Sequence, residues 1–205
     1  MSFKPTLAQT IADLTQTFDQ ISEERKELLK KLTNYIKQKQ DIGQTINLVF
    51  ICTHNSRRSH MAQLWAQAAA ANYNIPNVKT YSGGTEATAF YPAAVLAMQE
   101  LGFEIEKGAE TINPKYKVNY SLDASTIEVW SKRFDDVANP SADFCAIMTC
   151  SDADENCPFV SGAEKRIAIT YSDPKAADNT PQEAETYRKR VMQIGREMLF
   201  AFSEV

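Results

Sequence analysis

The sequence predicts an α/β protein: a three-layer sandwich with a central, mostly parallel sheet, an N-terminal helical extension and an inserted β-hairpin. Three observations support this fold class. Short apolar, β-branched runs alternate with segments of helical periodicity, the N-terminal part shows helical periodicity alone, and one later stretch alternates apolar with polar residues. With 205 residues, of which 43% are hydrophobic and 23% charged, the chain can bury a sizeable core.

The N-terminal segment, residues 1–43, is predicted to be a helical extension of the main domain, residues 44–205. Its apolar residues recur mostly at spacings of three and four, as on one face of a helix: Leu7, Ile11, Leu14, Phe18, Ile21, Leu28, Leu32 and Ile36. The pattern fits one helix, or two helices broken near Ser22. We expect the extension to pack on the main domain or on a second subunit of a homodimer, and an arm that binds another partner is the alternative.

The main domain alternates strand and helix patterns, which favours parallel strands joined by crossover helices. Residues 46–52 are a β-branched, apolar run of the kind that forms a buried strand. The other predicted elements are helices over residues 59–73, 92–101 and 181–202, and strands over residues 78–82, 144–150 and 167–171. Between residues 115 and 133, apolar residues flank a polar centre at Asp123-Ala124-Ser125, which predicts an antiparallel hairpin.

The composition argues against several kinds of partner. The formal net charge is −4 and the pI is near 5.3, so no overall basic field attracts nucleic acid or an anionic membrane. The sequence has no apolar run of about 18 residues and no N-terminal signal segment. We therefore expect a cytoplasmic protein.

The four cysteines, Cys52, Cys145, Cys150 and Cys157, lie outside any Cys-x2-Cys pair. This spacing argues against a structural zinc site, and no metal site is predicted. A reducing cytoplasm does not favour a permanent disulfide framework, so each thiol serves either core packing or chemistry. Cys145 stands in the middle of an apolar run and is predicted to be a core residue.

The chemistry is predicted to lie in the segment from Cys52 to Ser59, between a buried strand and a helix. Backbone N–H groups converge at such a position, and the helix N-terminus favours a tetrahedral anion. The Cys-x5-Arg spacing places the Cys52 sulfur beneath the anion while the Arg58 guanidinium binds two of its oxygens. The same field favours the thiolate, the nucleophilic form of Cys52. The predicted oxyanion-binding residues are Thr53, His54, Asn55, Ser56, Arg57 and Arg58.

Two residues of this segment are predicted to support the nucleophile. Ser59 can donate a hydrogen bond to the sulfur, and Asn55 can hold the backbone in a left-handed turn. The alternative is that Cys52 merely ends a strand and that the arginines are solvated charges. The strand, Asn, Ser and helix fall into place together, which argues against that alternative. His54 and His60 are expected to be loop or helix-surface residues rather than catalytic bases.

Two more segments follow predicted strands at the same edge of the sheet. Asp173, followed by Pro174, is the candidate general acid for a leaving-group oxygen, although an Asp-Pro pair alone is more often a simple turn. The segment between Cys150 and Cys157 is mostly polar, which predicts a loop that can move. If Cys150 reached Cys52 the two could form a disulfide, which Cys157 could resolve by exchange. Without Cys52, two incidental thiols would be an equally good interpretation.

These residues resemble a known family. From about residue 46 to residue 202 the chain is similar to the low-molecular-weight protein tyrosine phosphatases, which have a flavodoxin-like fold. It is more similar to the thioredoxin-coupled arsenate reductases built on that scaffold. The most specific matches are Cys52 to Ser59, the turn Tyr81-Ser82-Gly83-Gly84-Thr85-Glu86, Asp173-Pro174, and the run Cys150-Ser151-Asp152-Ala153-Asp154-Glu155-Asn156-Cys157-Pro158. Ordinary phosphatases lack this cysteine pair.

The chain departs from the family pattern at three positions. His54 stands where the family loop usually has glycine, and Arg57 stands where it has a second cysteine. The extra positive charge of Arg57 is expected to favour anion binding. Gln63 replaces a glutamate that helps some of these reductases to bind potassium, so the resemblance implies no ion site here.

The resemblance implies a mechanism for this chain. Cys52 attacks arsenate, Arg58 and the loop amides bind its oxygens, and Asp173 protonates the departing hydroxide. Cys150 then attacks the Cys52-arsenic adduct and releases arsenite. Cys157 converts the resulting Cys52-Cys150 disulfide to Cys150-Cys157, which thioredoxin reduces. The electrons come from thiols, so no cofactor is implied.

Two other functions remain open at this stage. One is a phosphatase that hydrolyses phosphomonoesters through a Cys52 phosphocysteine. Lys175 argues against it, because those phosphatases typically place a tyrosine after the Asp-Pro pair. The other is a non-enzymatic protein in which the loop is an anion or redox sensor and the extension is a docking element.

Overall fold

The computed structural model describes residues 2–123, 126–156 and 159–205, and its centre is a parallel four-stranded sheet. The strands of the structure are β1 (Ile46–Cys52), β2 (Val78–Gly84), β3 (Glu104–Lys107), β4 (Tyr116–Asn119), β5 (Ile127–Val129), β6 (Phe144–Met148) and β7 (Ala163–Ala168). The parallel sheet has the order β2-β1-β6-β7. Because its strands run in the same direction, their carboxyl ends meet at one edge.

Helices cover both faces of this sheet, but unequally. They are α1 (Pro5–Thr15), α2 (Glu23–Asp41), α3 (Arg58–Asn72), α4 (Pro92–Glu100), α5 (Ser151–Asn156) and α6 (Glu183–Ser203), with 3₁₀ turns at Phe18–Gln20 and Pro174–Ala177. Leu48 and Phe50 of β1 belong to a large core shared with α1 to α4 and α6, whereas Val49 and Ile51 belong to a small core that includes Ala153 of α5. The predicted α/β sandwich is confirmed. No helix in the described part of the chain is both long and apolar enough to span a membrane.

The N-terminal extension consists of two helices that pack on the main domain. The predicted break near Ser22 is confirmed: Ser22 is the N-cap of α2, and its side chain accepts a hydrogen bond from Arg25 N at 3.2 Å. Leu7 and Leu32 are fully buried in the core that α6 shares. Arg25 also donates from Nε and Nη2 to Glu197 of α6, at 2.9 and 2.7 Å. The extension therefore belongs to the core of the protein, while the domain boundary at residue 43 and a homodimer through the extension stay predictions.

The inserted hairpin is confirmed and belongs to a second sheet. This sheet is antiparallel, with the order β3-β4-β5, and the pair β4-β5 is the predicted hairpin. The sequence does not predict β3, because three of its four residues are charged and show little strand preference. The N-terminal extension reaches this sheet, since Phe3 forms a β-bridge with Ser121. Ala124 and Ser125, at the predicted centre of the hairpin, lie outside the described residues.

The prediction of a last strand over residues 167–171 is wrong in its bounds, because β7 covers Ala163–Ala168. This strand lies at the edge of the sheet and carries Glu164, Lys165 and Arg166, so its sequence lacks an apolar run. Ile169 and Tyr171 still donate backbone hydrogen bonds toward the neighbouring strand and its extension. The apolar residues that predicted the strand therefore lie mostly in the segment that follows β7.

The polar segment after Cys150, predicted to be a loop, forms the short helix α5 over its described residues. Asp152 and Asp154 lie in the first turn of this helix, where negative charge compensates the helix dipole. The Cys150 sulfur accepts a hydrogen bond from Ala153 N at 3.4 Å and so takes the place of a capping side chain. The prediction of a loop is therefore wrong for residues 151–156.

Candidate active site

The loop between β1 and α3 lies at the carboxyl edge of the parallel sheet. Cys52 is the last residue of β1 and only 3% exposed, and Arg58 is the first residue of α3. Carbonyl groups of this loop accept hydrogen bonds from neighbouring segments: Cys52 O from Thr85 N at 3.2 Å, Thr53 O from Glu86 N at 2.8 Å, His54 O from Ser131 Oγ at 2.9 Å, and Ser56 O from Tyr91 N at 2.9 Å. The loop is therefore held in shape from outside.

The backbone N–H groups of this loop are in the opposite situation. Those of residues 54–59 have no hydrogen-bond acceptor among the described residues, although most of these residues are buried. A bound anion can accept hydrogen bonds from several N–H groups that lack an internal acceptor. The N-terminus of the 15-residue helix α3 adds partial positive charge. Arg58 Nε is also buried, and no residue in the described part of the chain forms a hydrogen bond with it. These donors together favour a tetrahedral oxyanion next to Cys52.

A chain of hydrogen bonds orients the nucleophile. Asn55 has a φ of 43°, which confirms the predicted left-handed conformation. Asn55 Oδ1 accepts a hydrogen bond from Lys132 N at 2.9 Å, and this fixes the amide so that Nδ2 donates to Ser59 Oγ at 2.8 Å. Ser59 Oγ lies 3.1 Å from Cys52 Sγ. Since the Ser59 oxygen already accepts from Asn55, its own proton can point at the sulfur and stabilise negative charge there.

Arg58 and Asp173 are paired beside this loop. Arg58 Nη1 donates to Tyr171 O at 2.8 Å, and Nη2 donates to Asp173 Oδ2 at 2.5 Å. Arg58 is 6% exposed, so the guanidinium is fixed by burial as well as by these bonds. Asp173 Oδ1 accepts from Lys175 N at 3.0 Å and caps the following 3₁₀ turn. The candidate general acid is therefore ion-paired with the arginine that was predicted to bind the oxyanion.

The side chain of Arg57 is directed away from the predicted oxyanion site. Its Nε donates to Tyr187 Oη at 2.5 Å, its Nη2 donates to Asp178 Oδ2 at 2.6 Å, and its guanidinium lies 4.1 Å from the centre of the Tyr91 ring. Burial alone would lower the pKa of Arg57, but Tyr187 and Asp178 raise it above its usual value. Because Asp178 neutralises this charge, the expectation that it strengthens anion binding is corrected. The side chain instead anchors the loop to α6.

The two histidines occupy different environments. His54 lies at the surface, with its side chain 44% exposed and Nε2 3.6 Å from Glu86 Oε2. The prediction of a surface position is wrong for His60, which is fully buried because α3 is surrounded by protein over most of its circumference. His60 stacks on Phe90 with ring centroids 4.2 Å apart, and its Nδ1 lies 3.2 Å from Ser82 Oγ. Burial lowers the pKa of His60 to about 3.

The structure brings Cys150 next to the loop. Its Sγ lies 3.5 Å from Oγ1 of Thr53, the residue that follows Cys52. Cys150 is fully buried, and Cys52 and Cys150 belong to the same small core. Cys157, the third predicted redox cysteine, lies outside the described residues.

Cys145 is separate from this site. It is fully buried in β6 and belongs to the large core on the opposite face of the sheet, so the prediction of a core residue is confirmed. Burial raises the pKa of its thiol to about 12. Within residues 2–123, 126–156 and 159–205, no group of three or more His, Cys, Asp and Glu side chains is arranged to hold a metal ion.

Several residues that shape the site are not evident from the sequence. Ser131 and Lys132 hold the loop from a distance of 77 residues along the chain, and no local pattern marks them. Gly84 is different, because the Gly83-Gly84 pair that ends β2 is visible in the sequence. A Cβ on Gly84 would lie 2.7 Å from both Asn55 N and Thr53 O, so only glycine lets this turn touch the loop.

No protein-family profile matches the sequence. Curated relatives do: the arsenate reductase of Bacillus licheniformis is 30% identical over 159 residues, which cover 77% of this chain and 94% of the relative. The arsenate reductase of Bacillus subtilis is 32% identical over 152 residues, which cover 74% and 91%. Among solved structures, the low-molecular-weight protein tyrosine phosphatase of T. tengcongensis matches with a TM-score of 0.53 at 17% identity, covering 78% of this chain and all of that one.

The sheet order and the loop between a cysteine and an arginine define a protein of the low-molecular-weight protein tyrosine phosphatase fold. Within this fold, the curated relatives indicate the family, because this chain matches more than nine tenths of the length of two arsenate reductases. The chain belongs to the arsenate reductase family.

Proposed function

We propose that the protein reduces arsenate to arsenite through a relay of Cys52, Cys150 and Cys157, which thioredoxin recycles. The observation that carries the proposal is the position of Cys150, a buried thiol whose Sγ lies 3.5 Å from Oγ1 of the residue after the nucleophile. Similarity to arsenate reductases supports the same substrate. The proposal includes a cytoplasmic location, because a reducing environment returns the thiols to their active state.

In the first step arsenate binds to the loop N–H groups and to the Arg58 guanidinium. Cys52 Sγ attacks the arsenic atom, with Ser59 donating to the sulfur. One arsenic–oxygen bond breaks, and the oxygen leaves as water after Asp173 supplies a proton. The product is an adduct in which arsenic(V) is bonded to the Cys52 sulfur.

In the second step Cys150 Sγ, as thiolate, attacks Cys52 Sγ. A sulfur–sulfur bond forms, the sulfur–arsenic bond breaks, and its electron pair stays on arsenic, which leaves as arsenite. Cys157 then attacks Cys150 Sγ, which frees Cys52 and produces a Cys150-Cys157 disulfide. The dithiol of thioredoxin reduces this disulfide and is itself oxidised, so two electrons pass from thioredoxin to arsenic.

A second candidate function is hydrolysis of a phosphomonoester through a Cys52 phosphocysteine. A cavity of about 360 Å³ beside the loop favours it, because the Tyr91 side chain in its lining suits the ring of an aryl phosphate. Lys175 lines the same cavity. This reaction needs Cys52, the arginine and the acid, but it does not need Cys150.

Single-turnover assays on cysteine variants distinguish the two functions. Cys150→Ala should form no arsenite, yet it should still hydrolyse an activated aryl phosphate slowly, since the nucleophile, the arginine and the acid remain. Cys157→Ala should form one arsenite per chain and then stop with a Cys52-Cys150 disulfide, which mass spectrometry detects. Cys145→Ala is the matched control, because it removes a buried thiol from the other core and should reduce arsenate as the wild type does.

The relay is refuted if Cys150→Ala reduces arsenate in a single turnover at the wild-type rate. In a separate outcome, the phosphatase function is favoured if neither the wild type nor this variant forms arsenite and both hydrolyse the aryl phosphate equally fast. The control variant must retain the wild-type melting temperature for the comparison to hold.

A further inference from the structure

A second polar cavity, of about 440 Å³, lies between the N-terminal extension and the main domain. The extension contributes Ser22 and Arg25 to its wall, and α6 contributes Arg190, Arg196 and Glu197. Tyr171 and Ser172, from the segment that leads to Asp173, complete this part of the lining. The cavity does not include the loop of the active site.

Positive charge exceeds negative charge in this cavity. Arg25 and Glu197 form an ion pair with a closest distance of 2.7 Å. Among the described residues, Arg190 and Arg196 form no ion pair with a carboxylate. Arg190 Nη1 donates to Gln193 Oε1, and Arg196 Nε donates to Thr17 Oγ1 at 2.8 Å, so both partners are neutral. Arg190 Nε is buried and has no hydrogen-bond partner among the described residues. Within the part of the chain that the structure describes, these two guanidinium groups therefore lack a direct ion-pair partner.

The excess of positive charge affects the pKa of Arg190. Burial and the nearby charge of Arg58 lower the pKa of Arg190 below its usual value, although Glu197 and Asp173 act in the opposite direction. A cation that is desolvated and repelled by another cation gains favourable interactions when an anion enters. The N-terminus of α2 also faces this region at Ser22, but acidic residues in the first turn of α2 offset its dipole. The arginines therefore supply the attraction.

We propose that this cavity binds a phosphoryl dianion, carried either by inorganic phosphate or by a small phosphorylated metabolite. Guanidinium groups bind phosphate oxygens in pairs, and hydroxyl groups at Ser22 and Ser172 can donate to the remaining oxygens. The volume leaves room for an organic group beside the phosphate. The extension, which has no assigned part in the chemistry, thus completes a second anion site.

This site adjoins the catalytic residues through one short segment. Tyr171 lines the cavity, and its carbonyl oxygen accepts the hydrogen bond from Arg58 at 2.8 Å. Ser172 also lines the cavity, and Asp173 follows it directly. A ligand in the cavity therefore contacts the backbone that positions both the arginine and the candidate acid. The proposal concerns binding, and it stands whether the active site reduces arsenate or hydrolyses a phosphate ester.

Calorimetric titration of the full chain with inorganic phosphate tests the proposal. The wild type should bind two phosphate ions, one at the loop and one in the cavity. Arg58→Gln should no longer bind phosphate at the loop but should still bind it in the cavity. The double variant Arg190→Gln/Arg196→Gln should still bind phosphate at the loop. Its affinity for phosphate in the cavity should fall by about tenfold or more, because charged hydrogen bonds are lost. Lys189→Gln removes an exposed charge from the same helix and should still bind both phosphate ions.

Glycerol 2-phosphate identifies the source of the dianion. Tighter binding of glycerol 2-phosphate than of inorganic phosphate in Arg58→Gln indicates a phosphorylated metabolite, and the reverse order indicates free phosphate. The proposal is overturned if the wild type binds one phosphate ion only, or if the double arginine variant binds two phosphate ions with unchanged affinities. Crystals of the wild type soaked in tungstate give an independent readout. Anomalous density between Arg190 and Arg196 supports the site, and density at the loop alone overturns it.

Discussion

Mild acid should destabilise the protein through His60. This residue is fully buried, and its Nε2 has no hydrogen-bond partner among the described residues. Burial lowers its pKa from 6.5 to about 3, so the folded protein keeps His60 neutral where the unfolded chain takes up a proton. The unfolded state therefore binds more protons between these two values. The stabilising contribution is fully present above about pH 6.5 and is lost progressively as the pH falls toward about 3.

The size of the effect follows from the shift. Each pH unit inside this window costs about 1.4 kcal/mol, so a change from about pH 7 to about pH 5 removes about 2 kcal/mol of unfolding free energy. His60→Phe keeps a ring stacked on Phe90 but cannot titrate. Urea unfolding at both pH values should show about 2 kcal/mol less pH dependence for His60→Phe than for the wild type. His54→Gln, at the exposed histidine, is the control and should behave as the wild type does.

An equal pH dependence in His60→Phe and in the wild type would refute this reasoning. It would also refute it if His54→Gln removed the dependence instead. Unfolding curves with the same denaturant slope at both pH values are needed, since a changed slope would indicate a different unfolded state.

Three further predictions concern the loop and the core. Asn55→Ala should destabilise the protein by about 3–5 kcal/mol, because it removes two buried hydrogen bonds and leaves alanine in a left-handed conformation. The control is Asn77→Ala, at an exposed residue with a φ of 60°, which should cost only about 1 kcal/mol. Equal losses of unfolding free energy in urea would contradict the argument. Gly195→Ala would place a Cβ 2.6 Å from the ring of the buried Trp65 and should cost about 3 kcal/mol. A Cβ at Gly43 would have no atom of the described residues within 4 Å, so Gly43→Ala should cost only about 1 kcal/mol, and similar melting temperatures for the two variants would count against the tight contact. Asp173→Asn should lower the single-turnover rate about 100-fold or more, and unchanged rates with arsenate and with an aryl phosphate would reject its role as the acid.

The loop from Cys52 to Ser59 could be predicted from the sequence because its determinants are local. The strand, the left-handed Asn55, the serine and the helix start lie within eight consecutive positions, so their order fixes their geometry. The two-helix extension is a similar case. Its apolar spacing and the cap at Ser22 are properties of short segments, and the structure follows them closely.

Other parts could not be predicted, because they depend on residues far away in the chain. Arg57 is neutralised by Asp178, which lies 121 residues later, and nothing near Arg57 indicates this partner. His60 is buried because protein surrounds α3, and a helix with no polar face gives no sign of which side meets solvent. The arginines of the second cavity come from α2 and α6, so the sequence shows them only as separate surface charges.

The N-terminal extension also has a consequence for the order of folding. Arg25 and Glu197 meet across 172 residues of chain, and Phe3 reaches the inserted sheet at Ser121. During synthesis the apolar faces of α1 and α2 emerge well before the helix α6 that covers them. Contacts between such distant segments form slowly, because a long loop must close before they stabilise anything. The growing chain therefore exposes Leu7, Leu32 and their neighbours to other hydrophobic surfaces until α6 has been synthesised, and this interval favours misassembly over folding.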